Sequence, residues 1–502
     1  MIKVTTLILL LFVSFIANAQ SIDAPFSKEK MKKDFEVFKN ISITANSGLK
    51  KYRSEKQIDS IYNWANQQIE KITTYREFYN LISTITDFEG SCHNEIALPK
   101  KYATSLKNEN YGYFPYPIQW VAGKWVVNIS DKELPLGAEI MKINEVPIST
   151  IIPALYKYYS TDGFNLTGKR TGLMTSFSKY YRLHFGLTKT FTISYLNPIS
   201  KELETKTVQS VGNKTYYENF RKMHSMSIEQ YYYANLRENQ KYKYKQLNPT
   251  TGILTIHTFD IGDEKTNGHK KYKSFLDSIF TNIKASKIVN LIVDVRNNGG
   301  GNDPNDLVTY SYLTDRNFQE NKQAWITFKK IPLLQYYKSA IPKFIRPLVV
   351  GKFNKEFQTI FSKEKDGKYY QDDNAADHKI ITPNPNAFNG KIYLLTSPKI
   401  ASAGSLFASM VAGNINTITI GEETLGGYYG HNGHTPVSYK LPKSKIEITF
   451  SVVNLEQDVP KKENQKYGRG IIPNYEITQT FDDYINNTDT QLNFTMDLIS
   501  KQ

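Results

Sequence analysis

Three apolar runs of strand length each break into a glycine- or serine-rich loop, and no other feature constrains the chain as strongly. Val289 to Val293 leads into Asp294-Val295-Arg296-Asn297-Asn298-Gly299-Gly300-Gly301. Lys391 to Thr396 leads into Ser397-Pro398-Lys399-Ile400-Ala401-Ser402-Ala403-Gly404-Ser405. Thr417 to Ile420 leads into Gly421-Glu422-Glu423-Thr424-Leu425-Gly426-Gly427. Continuous apolar runs of this length suit strands of a sheet buried on both faces. A strand over Gly252 to Phe259 and a helix near 268–284 precede the first loop, so the pattern from Thr251 onward alternates as an α/β fold does.

The loops carry the chemistry. Three successive glycines let backbone amides face an incoming group without side-chain obstruction, which suits an anion; a plain structural turn accounts for the same residues. Neither G-x-G-x-x-G nor G-x-x-x-x-G-K-[ST] occurs there, so nucleotide binding has little support. Ser402 sits where its loop meets an apolar helix, Leu406 to Val411. A helix N-terminus favours negative charge, which suits a serine oxygen attacking a carbonyl. Serine is also a common helix N-cap, and the residues alone leave both readings open.

The first residues pair a charged start, Met1-Ile2-Lys3, with an apolar stretch Leu7 to Ile16 and the small-residue ending Ala17-Asn18-Ala19, the pattern of a secretory signal peptide over 1–19. Cleavage is expected after Ala19, and Gln20 in place of cysteine disfavours a lipid anchor. The mature chain is then expected in the periplasm or outside the cell, with no transmembrane segment. Cys92 is the only cysteine, which excludes an internal disulfide and a cysteine-rich metal site. The net charge of +15 is spread along the chain without a nucleic-acid-binding motif, so a basic solvated surface and no nucleic-acid partner are expected.

Residues 20–111 read as helical. Ser54 with Gln57, and Thr74 with Glu77, form capping-box patterns ahead of apolar residues spaced three and four apart. His93 follows the second of these helices, just past Gly90. Residues 112–205 turn to short β-patterned runs, and Leu136 to Ile148 resembles the centre of PDZ domains, with Ala138 and Glu145 departing from that pattern. Such domains add a peptide end as a strand to a sheet edge. Residues 206–250 read as a connecting segment, 251–480 as the α/β core and 481–502 as a tail.

The ordered set D-x-R-N-N-G-G-G, S-P-x-x-A-S-A-G-S and G-E-E-T-x-G-G resembles the core of the tail-specific, or C-terminal processing, serine peptidases of family S41; Gly470-Ile471-Ile472-Pro473-Asn474 resembles their closing motif. The resemblance implies a multidomain α/β protein with a ClpP/crotonase-like protease core, a PDZ-like β-rich domain and an N-terminal helical domain. It implies Ser402 as nucleophile and an oxyanion hole from Gly299, Gly300 and Ala403. The best-known branch draws its base from a lysine where this chain has Gly427, so a Ser-Lys mechanism is unsupported. Tricorn-like members use a histidine in a D-G-H-T segment, which Asp87 to His93 resembles, and His93 is the base this implies; a surface or capping histidine is the plainer reading. The glutamate that orients such a histidine is replaced by Tyr467, and Glu422, Glu423 and Glu456 are unassigned candidates. Ser405 also replaces a glutamate that often follows the nucleophile.

His431 and His434 lack a third ligand nearby and read as part of a loop flanking the cleft, and His257 as a packed core histidine; no metal or cofactor is expected. The whole points to an exported endopeptidase acting on polypeptides, by their C-terminal ends, through an acyl-enzyme on Ser402. A catalytically inactive peptide-binding protein of the same fold, or a serine esterase or acyltransferase, are the alternatives, because a fold does not fix a reaction.

Overall fold

A computed structural model describes residues 21–224, 238–302, 304–338 and 346–501. The leader expected over 1–19 lies outside the described residues. The central sheet has six strands in the order Tyr475–Glu476, Thr417–Gly421, Lys391–Thr396, Asn290–Asp294, Thr251–Ile256 and Tyr242–Asn248. Neighbours run parallel except the last pair. Asp294 lies beside Leu395 and Thr396 beside Gly421, so the three loops leave the sheet at one edge. That edge, at the carboxyl ends of parallel strands, is where open α/β sheets place their sites.

The continuous apolar runs are explained by burial on both faces. Leu291, Val293, Ile392 and Leu394 share a core with Tyr272, Leu276 and Phe280 of the helix Asn267–Ala285 and with Phe407 and Val411 of the helix Ala403–Ala412. On the other face, Ile292, Tyr393, Leu395 and Ile420 meet Leu492, Met496 and Ile499 of the helix Thr490–Ser500. The stretch expected as a tail therefore covers half of the central sheet. Tyr484 extends the same anchoring by packing on Val121 and Val126 of the β-rich region.

Both expected capping boxes form. Ser54 and Thr74 each accept from the backbone three residues on, and Gln57 and Glu77 reach back, opening the helices Glu55–Ile69 and Tyr75–Phe88. Their buried faces do not make a separate core. Phe35, Phe78 and Ile82 pack together with Ile448, Phe450 and Val452 of a second sheet. That sheet runs Glu95–Ala97, Glu447–Gln457, Asn321–Ile326, Lys368–Tyr370 and Lys363–Lys365, with Asn432–Lys440 also paired on Glu447–Gln457. Helical lead-in and second sheet are thus two layers of one unit.

The β-rich region is an antiparallel sheet in the order Ile118–Val121, Lys124–Val127, Glu139–Ile143, Thr190–Leu196, Leu203–Gln209. Between Pro147 and Thr190 it carries the helices Ile148–Leu155 and Thr167–Phe185, with the buried turn Thr161-Asp162-Gly163 between them. The connecting segment is not featureless: Leu203–Gln209 enters it, and Tyr242–Asn248 closes it as the antiparallel edge of the central sheet. No described helix is long and apolar enough to cross a membrane.

Candidate active site

Ser402 holds the N-cap position of the helix Ala403–Ala412, yet its side chain makes no capping hydrogen bond. Its carbonyl accepts from the Ser405 amide at 2.8 Å, the Ser405 hydroxyl at 2.8 Å and the Leu406 amide at 3.0 Å. Its backbone is turned to φ 51°, ψ −135°, a region that a non-glycine residue occupies at a cost of order 1–3 kcal/mol. This conformation leaves Oγ facing the cleft, 3.4 Å from His93 Nε2. The capping role open to Ser402 in the sequence is therefore not the one its hydroxyl takes.

The glycine loop approaches from the neighbouring strand. Gly300 has φ +111°, and a Cβ there would lie 2.8 Å from Ser402 Cβ and 3.2 Å from the Ala403 nitrogen. Only glycine combines that backbone with that approach. The Gly300 amide donates to Asn298 Oδ1 at 2.9 Å, so it is already engaged, which corrects the expectation that it faces an oxyanion. Gly299 and Gly301 flank it, Gly299 exposed in one cavity with Ser402 and Gly301 in another. Ala403, at the first turn of the helix, carries an amide that no intrahelical carbonyl can reach.

His93 is fixed from both sides. Behind it, the Gly163 amide donates to the Gly90 carbonyl at 2.8 Å and the Cys92 amide to Asp162 Oδ1 at 2.9 Å. After it, Glu95–Ala97 joins the second sheet, Glu95 opposite Thr449. Asn94 is held by Glu89, whose Oε2 accepts from Asn94 Nδ2 at 2.7 Å and from Asn46 Nδ2 at 3.0 Å. Desolvation lowers the His93 pKa from 6.5; the Asp162 charge opposes that shift and His434 adds to it. A neutral imidazole with Nε2 toward a hydroxyl can accept a proton from it.

Of the carboxylates weighed from sequence, Glu422 and Glu423 face arginines. Glu423 binds Arg469 through 2.7 and 2.6 Å contacts and accepts from the Gly470 amide at 3.0 Å. Glu422 lies 3.7 Å from Arg170. Glu456 pairs across a strand with Gln323, and Tyr467 lies against Tyr52, their ring centroids 5.6 Å apart. Gly427, in the place of the family lysine, donates its amide to Asp162 Oδ2 at 3.0 Å, and a Cβ on it would meet the Gly430 carbonyl at 2.8 Å. Sequence reasoning missed Asp162. It lies in a region marked only by its β-pattern, and nothing local distinguishes it.

Ser402 stands between two cavities. One, of about 600 Å³, is lined by His93, Gly299, Tyr158, Tyr180 and Leu425 as well as Ser402. The other, of about 480 Å³, joins Ser402 to Gly301, Ala403, His431, His434 and Pro436. His431 and His434 are not in a flanking loop as expected: His431 is buried beside the strand Asn432–Lys440, its ring 5.0 Å from that of His93. His434, inside that strand, places Nε2 3.3 Å from Glu320 Oε1. His257 is half-buried in a separate cavity with Asp294 and Arg296, not in the core. Among the described residues no group of three His, Cys, Asp or Glu could hold a metal.

The family model described as Peptidase family S41 matches residues 250–477. No curated protein matches the chain. Among solved structures, mature CPAF is similar at 14% identity over 94% of this chain and 97% of its own, with a TM-score of 0.60. Mature CPAF complexed with lactacystin is similar at 13% identity over 94% and 98%, also with a TM-score of 0.60. At such identity the likeness is one of fold, and it extends past the matched segment to the helical lead-in and the β-rich region. Residues 250–477 thus match the model of peptidase family S41, and the chain that carries them is a serine-type peptidase.

Proposed function

We propose that this chain is an exported endopeptidase that cleaves polypeptides through an acyl-enzyme on Ser402. His93 Nε2 takes the Oγ proton as the oxygen attacks the scissile carbonyl, then returns it to the departing amine; water repeats the sequence to release the acyl group. The developing oxyanion is held by the amides of Gly299 and Ala403, which reach Ser402 from two different strands' loops. The observation that carries this reading is the 3.4 Å approach of His93 Nε2 to a serine hydroxyl that its own helix leaves uncapped. Export rests on the leader pattern over 1–19.

The β-rich region, by its resemblance to PDZ domains, is proposed to capture the C-terminal end of the substrate on a sheet edge. Hydrolysis of unfolded casein tests the central reading. Wild-type chain should release peptides, and Ser402→Ala should lose at least about 10³-fold in rate, the scale on which nucleophile removal acts. Equal rates for the two chains would end it. For the capture step, a chain lacking 112–205 should bind a peptide with a free C-terminus more weakly; unchanged affinity would remove that role.

A further inference from the structure

The cavity of about 600 Å³ that holds Ser402 also takes two lysines from the β-rich region. Lys157 comes from the turn Tyr156–Tyr158 and Lys179 from the helix Thr167–Phe185. Among the described residues, no carboxylate engages either lysine at ion-pair distance. The acids nearby are bound to other cations: Asp23 to Arg76 and Arg182, Glu109 to Arg182, and Asp87 to Lys169. Glu95 is the one acid among the described residues that line the cavity; it is exposed, and its charge favours the ammonium of Lys179.

Lys157 is half-buried, and its hydrogen bond runs from Nζ to His184 Nδ1 at 2.9 Å. An ammonium has three donors, and one that leaves water without acceptors or a counter-charge is costly. His184 supplies no charge. Burial first, then Lys157 and Arg76, push its pKa down to about 4, so the ring is a neutral acceptor. Burial, followed by the Arg76 charge, brings Lys157 down to about 8, which leaves it protonated at neutral pH. The walls beside it are fixed. Tyr158 and Tyr180 stack with ring centroids 5.1 Å apart, the Tyr158 hydroxyl donates to Asn80 Oδ1, and the Tyr79 hydroxyl donates to the Ile96 carbonyl at 3.3 Å. The result is a preformed aromatic cavity with an excess of positive charge, within the ~300–1,000 Å³ range of ligand pockets.

We infer that this cavity is a subsite for an acidic side chain of the substrate, an Asp or Glu near the scissile bond, whose carboxylate Lys157 receives with Lys179 as the second cation. The inference rests on the Ser402 reading above and adds to it the class of substrate. Discrimination follows from the same burial: a neutral residue in that place leaves the Lys157 ammonium desolvated and unanswered, whereas a carboxylate completes a charge-assisted pair. Lys157 carries more of the effect than Lys179, because Lys179 is exposed and already faces Glu95.

End-blocked octapeptides of alanine, glycine and glutamine, with one glutamate walked through the sequence, test this. Wild-type hydrolysis would be read as kcat/KM with the cut mapped by mass, and binding to Ser402→Ala by calorimetry. Glutamate at one fixed place relative to the cut should raise kcat/KM about tenfold or more over glutamine, and should tighten binding by a similar factor, the scale of a hydrogen bond to a charged group. In Lys157→Met that ratio should fall to near one in both measurements, and in Lys179→Met by about threefold. A merely structural role for Lys157 would slow both peptides alike and leave the ratio standing. No preference for glutamate in wild type, or an undiminished ratio in folded Lys157→Met, would overturn the inference. Should that variant not fold, Lys179→Met decides, and an undiminished ratio there would overturn it equally. Peptides with a free C-terminus separate the two sources of a carboxylate: a preference that follows the chain end and not the glutamate would also overturn it. If wild type hydrolyses no peptide while Ser402→Ala binds the glutamate peptide more tightly, the Ser402 reading fails and the subsite stands.

Discussion

At the scale of single residues, the site depends on backbone that only certain side chains permit. Gly300 is the clearest case, because its φ of +111° and a Cβ position 2.8 Å from Ser402 Cβ leave no room for alanine. Gly300→Ala should reduce peptide hydrolysis by at least about 10²-fold and lower stability by about 1–3 kcal/mol, read from initial rates and urea midpoints. His93 gives a second prediction. Its pKa is lowered from 6.5, and the base must be neutral, so the acid limb of kcat/KM should fall below pH 6.5, with activity lost as pH drops through it. A limb above 6.5 would contradict the burial of that ring. The roles proposed for Ser402 and His93 were implied in the sequence by motifs, each contiguous in the chain, that resemble those of the tail-specific peptidases. Asp162 carries no such motif, since 70 residues separate it from Cys92 and its contacts are made only in the tertiary fold. The Gly300 amide was misjudged for a related reason: which amide stays open depends on the Asn298 side chain folding back onto the loop.

At the scale of elements, the short segment Glu89 to Asn94 carries the base and is held by one unusual carboxyl. Burial lifts the Glu89 pKa from 4.5 to about 7, against hydrogen bonds from Ser42, Asn46 and Asn94. A carboxyl whose folded pKa is raised contributes stability below about 4.5 and loses it as pH rises toward 7, by about 3 kcal/mol for a shift of this size. Glu89→Gln, which mimics the protonated form, should flatten the fall in urea midpoint between pH 5 and pH 8; an unchanged slope would assign the effect elsewhere. Helices and buried strands were legible here because capping boxes and apolar runs are local signals. The strand Asn432–Lys440 was not. Its pairing is interrupted between Gly433 and Pro436, and those residues disguise it as a loop.

At the scale of the molecule, three sheets meet around one cleft, and the divisions between them do not follow the chain. The N-terminal helices share their core with strands beyond residue 320, and the final helix closes the central sheet. Sequence patterns cannot reveal such sharing, because an apolar helix face does not state what covers it. A chain ending at residue 488 would uncover Ile292, Tyr393, Leu395 and Ile420, and should be recovered largely insoluble or with a urea midpoint well below that of the full chain. The central claim concerns the hydroxyl at the meeting point. Acid-quenching the protein during turnover of an activated peptide ester, followed by peptide mapping, should find the acyl group on Ser402 of the wild type. Ser402→Ala should show neither the acyl group nor a burst of leaving group. Turnover at the wild-type rate by that variant, or an acyl group mapped to any other residue, would contradict the account.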